Sequence, residues 1–239
     1  MKRIVSTLVA AVLSASAVLL ASAPPAAART HRTVLRIMPL GDSITVGVGS
    51  THDTGYRLPL WRLLDGQGRI DAVFVGSQRD GAFPQPFHEG HSGWMINDIR
   101  ARVDGWLRTQ HPDVVLLHIG INDLDRAPGY RTQAADRLRA LLDRIYADRP
   151  GVTVLLLGLI PSTPGLQPAV RRFDEQARSL EPVEQGRGRH FSYVTPPALT
   201  ADEFADRLHP DDRGYRRLAE AYYTGLLADV GRRWIAGTG

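Results

Sequence analysis

A serine, a histidine and an aspartate occur in sequence contexts that suit nucleophilic catalysis. Ser43 lies in the segment GDSIT (residues 41–45), and Asp206 and His209 lie in DRLHP (residues 206–210). A serine hydroxyl barely ionises at neutral pH, so it attacks a carbonyl carbon only when an imidazole takes its proton. The imidazole needs a carboxylate at its other nitrogen, which fixes the tautomer and stabilises the imidazolium. We therefore predict Ser43 as the nucleophile, His209 as the base and Asp206 as the acid that orients it.

The oxyanion formed in such a reaction needs hydrogen-bond donors aimed at it. The candidate donors are the backbone amides of Ser43 and Gly93 and the side-chain amide of Asn122. Gly93 lies in HSGW (residues 91–94) and Asn122 lies in GIND (residues 120–123). Because glycine lacks a side chain, a reacting group can approach the Gly93 amide closely. These three residues form the predicted oxyanion hole.

Three side chains next to these groups are expected to contact the substrate. Asp42 precedes the predicted nucleophile, His91 lies two residues before Gly93, and Trp94 directly follows that glycine. Aromatic side chains serve both in cores and at binding sites. Trp94 is the tryptophan best placed to face a substrate cleft because it adjoins a predicted oxyanion donor.

Each pattern alone has a simpler interpretation. A Gly-Asp-Ser sequence after a strand is most often a plain turn. An aspartate three residues before a histidine often lies in a surface turn, and Asn122 with Asp123 can cap a helix. Their occurrence together, each at a strand end or in a loop, favours a catalytic site.

Two other patterns suggest a metal or a phosphate site. The segment HEGH (residues 88–91) has histidines three apart, whereas a zincin needs them four apart on a helix. Gly90, with Pro84 and Pro86 nearby, predicts a loop that lines the substrate cleft. The glycines at 47 and 49 are not followed by the Lys-Ser/Thr of a phosphate-binding loop. We therefore expect no metal and no cofactor.

Five short apolar runs predict the strands that position these groups. They cover residues 34–38, 72–76, 114–120, 152–158 and 191–194. The third and fourth runs are almost continuously apolar, which is typical of strands covered on both faces. The predicted catalytic groups therefore follow the ends of strands.

Helical periods separate these strands. The predicted helices cover residues 56–64, 95–106, 138–145 and 218–230. Alternating strands and helices imply parallel pairing with helices on both faces of the sheet. We predict an α/β fold, a three-layer α/β/α sandwich of the flavodoxin-like kind with a five-stranded parallel sheet. Ligands of such sheets bind beyond the carboxyl ends of the strands.

The amino-terminal residues have the pattern of a secretory signal peptide. A basic start is followed by an apolar stretch from Ile4 to Leu20 and by three alanines that end at Ala28. This stretch falls short of the roughly 20 apolar residues that a membrane span needs. We predict a signal peptide at 1–28, a disordered leader at 29–32, one domain at 33–234 and a tail at 235–239. The protein is expected to be secreted.

Charge and cysteine content exclude several classes of protein. The chain has 29 basic and 25 acidic residues, and cleavage after Ala28 would remove Lys2 and Arg3 and lower the formal net charge from +4 to +2. So small a charge, without a dense basic run, is not typical of nucleic-acid binding. The absence of cysteine excludes disulfides, thiolate metal sites and a cysteine nucleophile. We expect a monomer that binds neither nucleic acid nor a membrane.

The four segments resemble the sequence blocks of the SGNH (GDSL-type) hydrolases, which carry Ser, Gly, Asn and His in that order. GDSIT is similar to the first block, HSGW to the second, GIND to the third and DRLHP to the last. The resemblance extends from Arg36 to about Tyr223, and the fold that it implies is the three-layer α/β sandwich. The triad that it implies is Ser43, His209 and Asp206, and the oxyanion hole is Ser43, Gly93 and Asn122.

A narrower resemblance is to the carbohydrate-esterase branch, whose members remove acetyl groups from polysaccharides such as xylan. It rests on RIMPLGDSIT (residues 36–45), GYR (residues 55–57) and HEGHSGW (residues 88–94). The third block usually reads Gly-Thr-Asn-Asp, and Ile121 replaces the threonine here. The resemblance implies a secreted serine esterase for short acyl esters, chiefly O-acetyl, of a small-molecule or polysaccharide carbohydrate. A lipase or lysophospholipase for longer acyl chains and a non-catalytic carbohydrate-binding protein remain alternatives.

Overall fold

The five predicted strands are all present in the computed structural model, which describes residues 34–126, 128–160 and 163–237. The predicted signal peptide and leader lie outside the described residues. Two further short strands were not predicted. The strands are β1 (Leu35–Gly41), β2 (Ala72–Phe74), β3 (Gln78–Arg79), β4 (Phe87–Gly90), β5 (Val114–His118), β6 (Thr153–Leu157) and β7 (His190–Val194).

The strands form one sheet in the order β3-β4-β1-β5-β6-β7. β2 and β4 share one edge of β1, since β2 pairs with residues 35–37 and β4 pairs with residues 40 and 41. β5 pairs along the other edge of β1. The pairings among these strands are parallel except that of β3 with β4. The carboxyl ends of β1, β4 and β5 therefore lie at one edge of the sheet, which brings together the segments that follow them.

The prediction of a loop at residues 88–91 is wrong for most of that segment. His88, Glu89 and Gly90 belong to β4, and the last two pair with the end of β1. The side chains of His88 and Glu89 are both completely buried. Because these buried positions are polar, the strand has no apolar alternation that sequence periodicity could detect.

The helices match most of the predicted ones. They are α1 (Ser43–Val46), α2 (Arg57–Gln67), α3 (Ile96–Arg100), α4 (Val103–Gln110), α5 (Ile121–Arg126), α6 (Pro128–Arg131), α7 (Ala134–Asp148), α8 (Gln167–Gly186) and α9 (Asp212–Gly231). The single helix predicted at 95–106 is divided into α3 and α4. α8 was not predicted, although its buried residues Val170, Phe173, Ala177 and Leu180 are spaced three or four apart.

Helices cover both faces of the sheet, which confirms the predicted three-layer sandwich. Residues of α3, α4, α7 and α8 line one hydrophobic core, and residues of α2 and α9 line the other. The side chains of β5 alternate between them, with Val115 and Leu117 in the first core and Val114 and Leu116 in the second. Such a strand is buried on both faces, as its continuous apolar sequence predicted.

The second core extends to Ile235, one residue beyond the predicted domain boundary at Trp234. Within residues 34–126, 128–160 and 163–237, no helix combines the length and the apolar character needed to cross a bilayer.

Candidate active site

Ser43 is the first residue of α1 and follows β1 after a sharp turn. Asp42 caps this helix, because its Oδ1 accepts a hydrogen bond from the Ile44 amide at 3.0 Å. Gly47 ends the helix with a φ of 102°, a left-handed conformation that glycine adopts without steric cost. The turn leaves Ser43 partly exposed at the carboxyl end of the sheet.

The structure brings the three predicted triad residues together in one hydrogen-bonded chain. Ser43 Oγ lies 2.9 Å from His209 Nε2, and His209 Nδ1 lies 2.8 Å from Asp206 Oδ2. A carboxylate can only accept, so His209 carries its proton on Nδ1 and leaves Nε2 to accept from the Ser43 hydroxyl. This is the tautomer that a serine nucleophile needs in its base.

Asp206 is held by hydrogen bonds rather than by burial. Its Oδ1 accepts from the backbone amides of Leu208 at 2.7 Å and His209 at 2.8 Å. Partial desolvation raises the pKa of Asp206, but the hydrogen bonds from the His209 ring and the two amides outweigh it, so this pKa lies below its ordinary value. Asp206 is therefore ionised at neutral pH and can stabilise an imidazolium.

The loop that carries Asp206 and His209 is tied to the helix that carries Asn122. Arg207 donates two hydrogen bonds to the carboxylate of Asp125 in α5, at 2.9 and 2.7 Å. Within the loop, the Ala205 amide donates to the His209 carbonyl at 2.9 Å. The Arg207–Asp125 hydrogen bonds therefore connect the loop of Asp206 and His209 to the helix that carries Asn122.

The predicted oxyanion residues Gly93 and Asn122 are linked through Trp94. Asn122 Nδ2 donates to the Trp94 carbonyl at 2.9 Å, which fixes the amide and leaves its second N–H for another acceptor. Gly93 has a φ of 79°, and a Cβ built on it would lie 2.6 Å from an Arg126 nitrogen. The positive φ therefore favours glycine at position 93, whereas the Arg126 guanidinium is the end of an exposed side chain and can move aside.

His91 and Trp94, both predicted to contact the substrate, pack against other protein groups. The His91 ring stacks on Trp94 and Trp106, with centroid distances of 4.1 and 4.9 Å. His91 Nε2 lies 3.1 Å from Oε2 of the buried Glu89. The Arg102 guanidinium lies 4.7 Å from the Trp94 ring centroid. The structure therefore shows His91 packed between protein groups. Trp94 is only partly buried.

The structure does not place Asp42 among groups that can meet a substrate. Its side chain is completely buried and caps α1, which corrects the expectation of a substrate contact. Burial raises the pKa of Asp42 to about 7, and the nearby charge of Asp123 adds to this effect. The Asp42 carboxyl group therefore stabilises the turn that carries Ser43, by capping α1.

The histidines of the HEGH segment have separate protein partners. His88 Nδ1 accepts from the Gly90 amide at 2.9 Å, so its Nε2 carries the proton and donates to Asp80 at 3.1 Å. Burial lowers the pKa of His88 to about 3, so this ring is neutral. Among the residues that the structure describes, no group of three or more His, Asp and Glu side chains is arranged to hold a metal ion.

Sequence reasoning missed Arg57 as a support of the site. This buried side chain donates to five backbone carbonyls, including those of Thr45 and Val46 in the nucleophile helix α1, at 3.0 and 2.8 Å. The other acceptors are Asp53, Asp80 and Pro86. Burial lowers the pKa of Arg57 to about 10, which leaves it charged at neutral pH. Its place in GYR was visible, but only the folded chain shows which carbonyls it joins.

The doubly wound sheet with a hydrogen-bonded serine, histidine and aspartate at its carboxyl edge has the arrangement that serine hydrolases use. The sequence pattern of the GDSL-like Lipase/Acylhydrolase family matches residues 40–217, and this chain belongs to that family. The family prediction from the four sequence segments is confirmed.

Several similar proteins are carbohydrate esterases by name. A solved structure described as a Clostridium thermocellum family 3 carbohydrate esterase is 33% identical, with a TM-score of 0.75 over 83% of this chain and 99% of that chain. An acetylxylan esterase of Geobacillus stearothermophilus is 25% identical over 84% of this chain and 95% of its own length. A multidomain esterase of Ruminococcus flavefaciens is 24% identical over 78% of this chain, which spans only 28% of that protein.

Proposed function

We propose that this protein removes O-acetyl groups from carbohydrates with Ser43 as nucleophile, His209 as base and Asp206 as the orienting acid. The observation that carries the proposal is the continuous hydrogen-bonded chain from Ser43 Oγ through both ring nitrogens of His209 to Asp206. This arrangement lets the imidazole take the hydroxyl proton as the oxygen attacks a carbonyl carbon.

The reaction proceeds through an acyl-enzyme. Ser43 Oγ attacks the acetyl carbonyl, and its proton passes to His209 Nε2. The tetrahedral intermediate collapses as His209 returns this proton to the departing sugar oxygen. Water then attacks the acetyl group on Ser43 with His209 again as base, which releases acetate and restores the serine.

The oxyanion of both tetrahedral intermediates is stabilised by the amides of Ser43 and Gly93 and by Asn122 Nδ2. The Asn122 amide is pre-oriented by the Trp94 carbonyl, so little reorganisation is needed as charge develops. A donor of this kind contributes about 3 kcal/mol to lowering the barrier.

The proposed substrate class is supported by the names of the similar proteins, which include an acetylxylan esterase and a family 3 carbohydrate esterase. Secretion is also part of the proposal and is supported by the basic and apolar amino-terminal pattern. An exported enzyme would meet polysaccharides outside the cell. Sequencing of the exported protein is expected to find Arg29 as its first residue, and a mature chain that retains Met1 would reject the signal peptide.

The proposal is tested with wild-type protein and the variants Ser43→Ala and Ser179→Ala. Ser179 lies exposed on α8 and donates only to the Gln176 carbonyl of its own helix, so it is a matched serine control. Ser43→Ala should lose at least about a thousandfold in kcat for p-nitrophenyl acetate and for acetylated xylan, and Ser179→Ala should lose nothing. Retained activity in Ser43→Ala would reject the triad.

Two further measurements separate the alternatives. A preference for p-nitrophenyl octanoate over the acetate would indicate a lipase or lysophospholipase instead of an acetylesterase. A fluorophosphonate should label Ser43 in the wild type. Failure to label, together with binding of acetylated xylan without acetate release, would indicate a non-catalytic carbohydrate-binding protein.

A further inference from the structure

Arg126 lies beside Gly93 of the predicted oxyanion hole. It is the last residue of α5, the helix that carries Asn122, and its guanidinium lies against Gly93. A Cβ built on Gly93 would lie 2.6 Å from Arg126 Nη2 and 3.6 Å from Nη1. Arg126 is exposed to solvent. A positive charge therefore stands at the mouth of the site, next to a backbone amide that is proposed to hold the reacting carbonyl.

Arg131, Arg137 and Arg207 each form hydrogen bonds or ion pairs with protein groups. Arg126 has no hydrogen bond or ion pair with any residue that the structure describes. Arg131 donates to the Leu124 carbonyl, and Arg137 pairs with Asp123. The nearest acid in sequence, Asp125, already accepts two hydrogen bonds from Arg207. Arg126 thus interacts with Asp125 only through the electrostatic attraction that helps lower the pKa of that carboxyl, and its own N–H donors make no hydrogen bond with the residues that the structure describes.

An exposed guanidinium beside a reacting carbonyl, with N–H donors that bond to no described residue, favours an anionic group on the substrate. Its planar fork of N–H donors matches a carboxylate, which it can bind through two parallel hydrogen bonds. On a carbohydrate, the carboxylate that can lie close to an O-acetyl group is that of a uronic acid unit. The ionised Asp206 in the same site would otherwise disfavour such a substrate through like-charge repulsion.

We infer that Arg126 determines specificity by binding a carboxylate of the substrate, so that the enzyme prefers acetyl esters on acidic sugars. The inference rests on the proposed acetylesterase function and adds the substrate's charge to it. Arg126 would act on substrate binding, since the carboxylate is present equally in the ground state and the transition state.

The test compares two mono-O-acetylated methyl glycosides that differ only at C6, where a glucuronoside has a carboxylate and a glucoside has a hydroxymethyl group. The proteins are the wild type, Arg126→Gln and the control Arg62→Gln, which removes an exposed arginine of α2. The wild type should prefer the glucuronoside. Arg126→Gln should lower kcat/KM for the glucuronoside about tenfold, through KM, and leave the glucoside and p-nitrophenyl acetate unchanged. Arg62→Gln should change neither.

Salt provides a second readout. The wild-type preference should shrink at about 1 M ionic strength, where the Debye length falls to about 3 Å, and the Arg126→Gln variant should show no such dependence. An equal loss on both glycosides would mean that Arg126 acts on the acetyl group that they share, and this result would overturn the inference. No change on either glycoside would overturn it as well.

A binding measurement distinguishes failure of the proposed carboxylate site from failure of the proposed esterase function. Calorimetric titration of the Ser43→Ala variant, with and without Arg126→Gln, measures affinity for the glucuronoside and the glucoside without turnover. If the wild type hydrolyses no ester but Ser43→Ala still prefers the glucuronoside through Arg126, the proposed function fails and the carboxylate site stands. If esters are hydrolysed and no preference is found, the carboxylate site fails alone.

Discussion

Replacing Asp42 with asparagine should alter how the stability of the protein depends on pH. Asp42 is completely buried, and its Oδ1 accepts from the Ile44 amide, while its Oδ2 has no hydrogen-bond partner among the described residues. Burial raises the pKa of Asp42 from 3.8 to about 7. Asparagine keeps the oxygen that caps α1 but has no proton to lose in this range.

The size of the effect follows from linkage between protonation and folding. Because the native pKa is raised, the unfolded chain ionises first, and the stability that protonated Asp42 contributes is present below about pH 4 and lost as the pH rises to 7. At 1.36 kcal/mol per unit below the native pKa, the free energy of unfolding should fall by about 3 kcal/mol through this group between pH 5 and pH 8. The native carboxyl ionises around pH 7, and the loss stops about one unit above it.

The measurement is urea unfolding at pH 5 and pH 8 for the wild type, Asp42→Asn and the control Asp65→Asn, which removes an exposed acid of α2. The stability of Asp42→Asn relative to the wild type should rise by about 3 kcal/mol between the two pH values. The stability of Asp65→Asn should show the same pH dependence as that of the wild type. Parallel pH profiles for the wild type and Asp42→Asn would refute the assignment of a buried, protonated carboxyl at this position.

Three further substitutions test the site. Asp206→Asn should lower kcat by about 10⁴-fold, because an amide favours the wrong tautomer of His209; an unchanged rate in p-nitrophenyl acetate assays would indicate a Ser-His dyad. Gly93→Ala should lower the free energy of unfolding in urea by about 1 kcal/mol, since a side chain at a φ of 79° is strained. It should also lower kcat, and an unchanged kcat would contradict a role for Gly93 in the oxyanion hole. Arg57→Met should lower the free energy of unfolding in urea by about 3 kcal/mol or more, because five backbone carbonyls lose their donor. A variant as stable as the wild type would contradict the supporting role of Arg57.

The sheet could be predicted where its strands are apolar and not where they are polar. β5 and β6 are almost continuously hydrophobic, so the sequence predicts them as strands, whereas β4 buries His88 and Glu89 and its sequence pattern predicts a loop. Those side chains are buried because Asp80, Ser77 and His91 provide their hydrogen bonds. Such partners come from other parts of the chain, and no local periodicity reveals them.

Residue types and spacing predicted which three side chains meet, Ser43, Asp206 and His209, better than they predicted the surrounding contacts. Asp206 and His209 lie three apart, so a single turn brings both to one side, and the structure joins them to Ser43. Asp42 and His91 adjoin catalytic segments in sequence, yet one points into the core and the other packs on tryptophans. Adjacency along the chain does not fix the direction of a side chain, which depends on the turn and on tertiary packing.

The pKa values of Asp42 and Asp206, which flank the proposed catalytic serine and histidine, are shifted in opposite directions. This difference determines which of the two carboxyl groups carries negative charge. Asp42 is fully buried with one carboxylate oxygen unpartnered among the described residues, so burial favours its neutral form. The Asp206 side chain is 54% exposed and accepts hydrogen bonds from the His209 ring and two amides, so its charged form is favoured. Below about pH 6, the carboxylate that faces the imidazole is thus the ionised one, and the carboxyl of Asp42 is largely protonated. A negative charge at Asp42 would oppose the developing oxyanion, whereas the charge at Asp206 stabilises the imidazolium that forms with it.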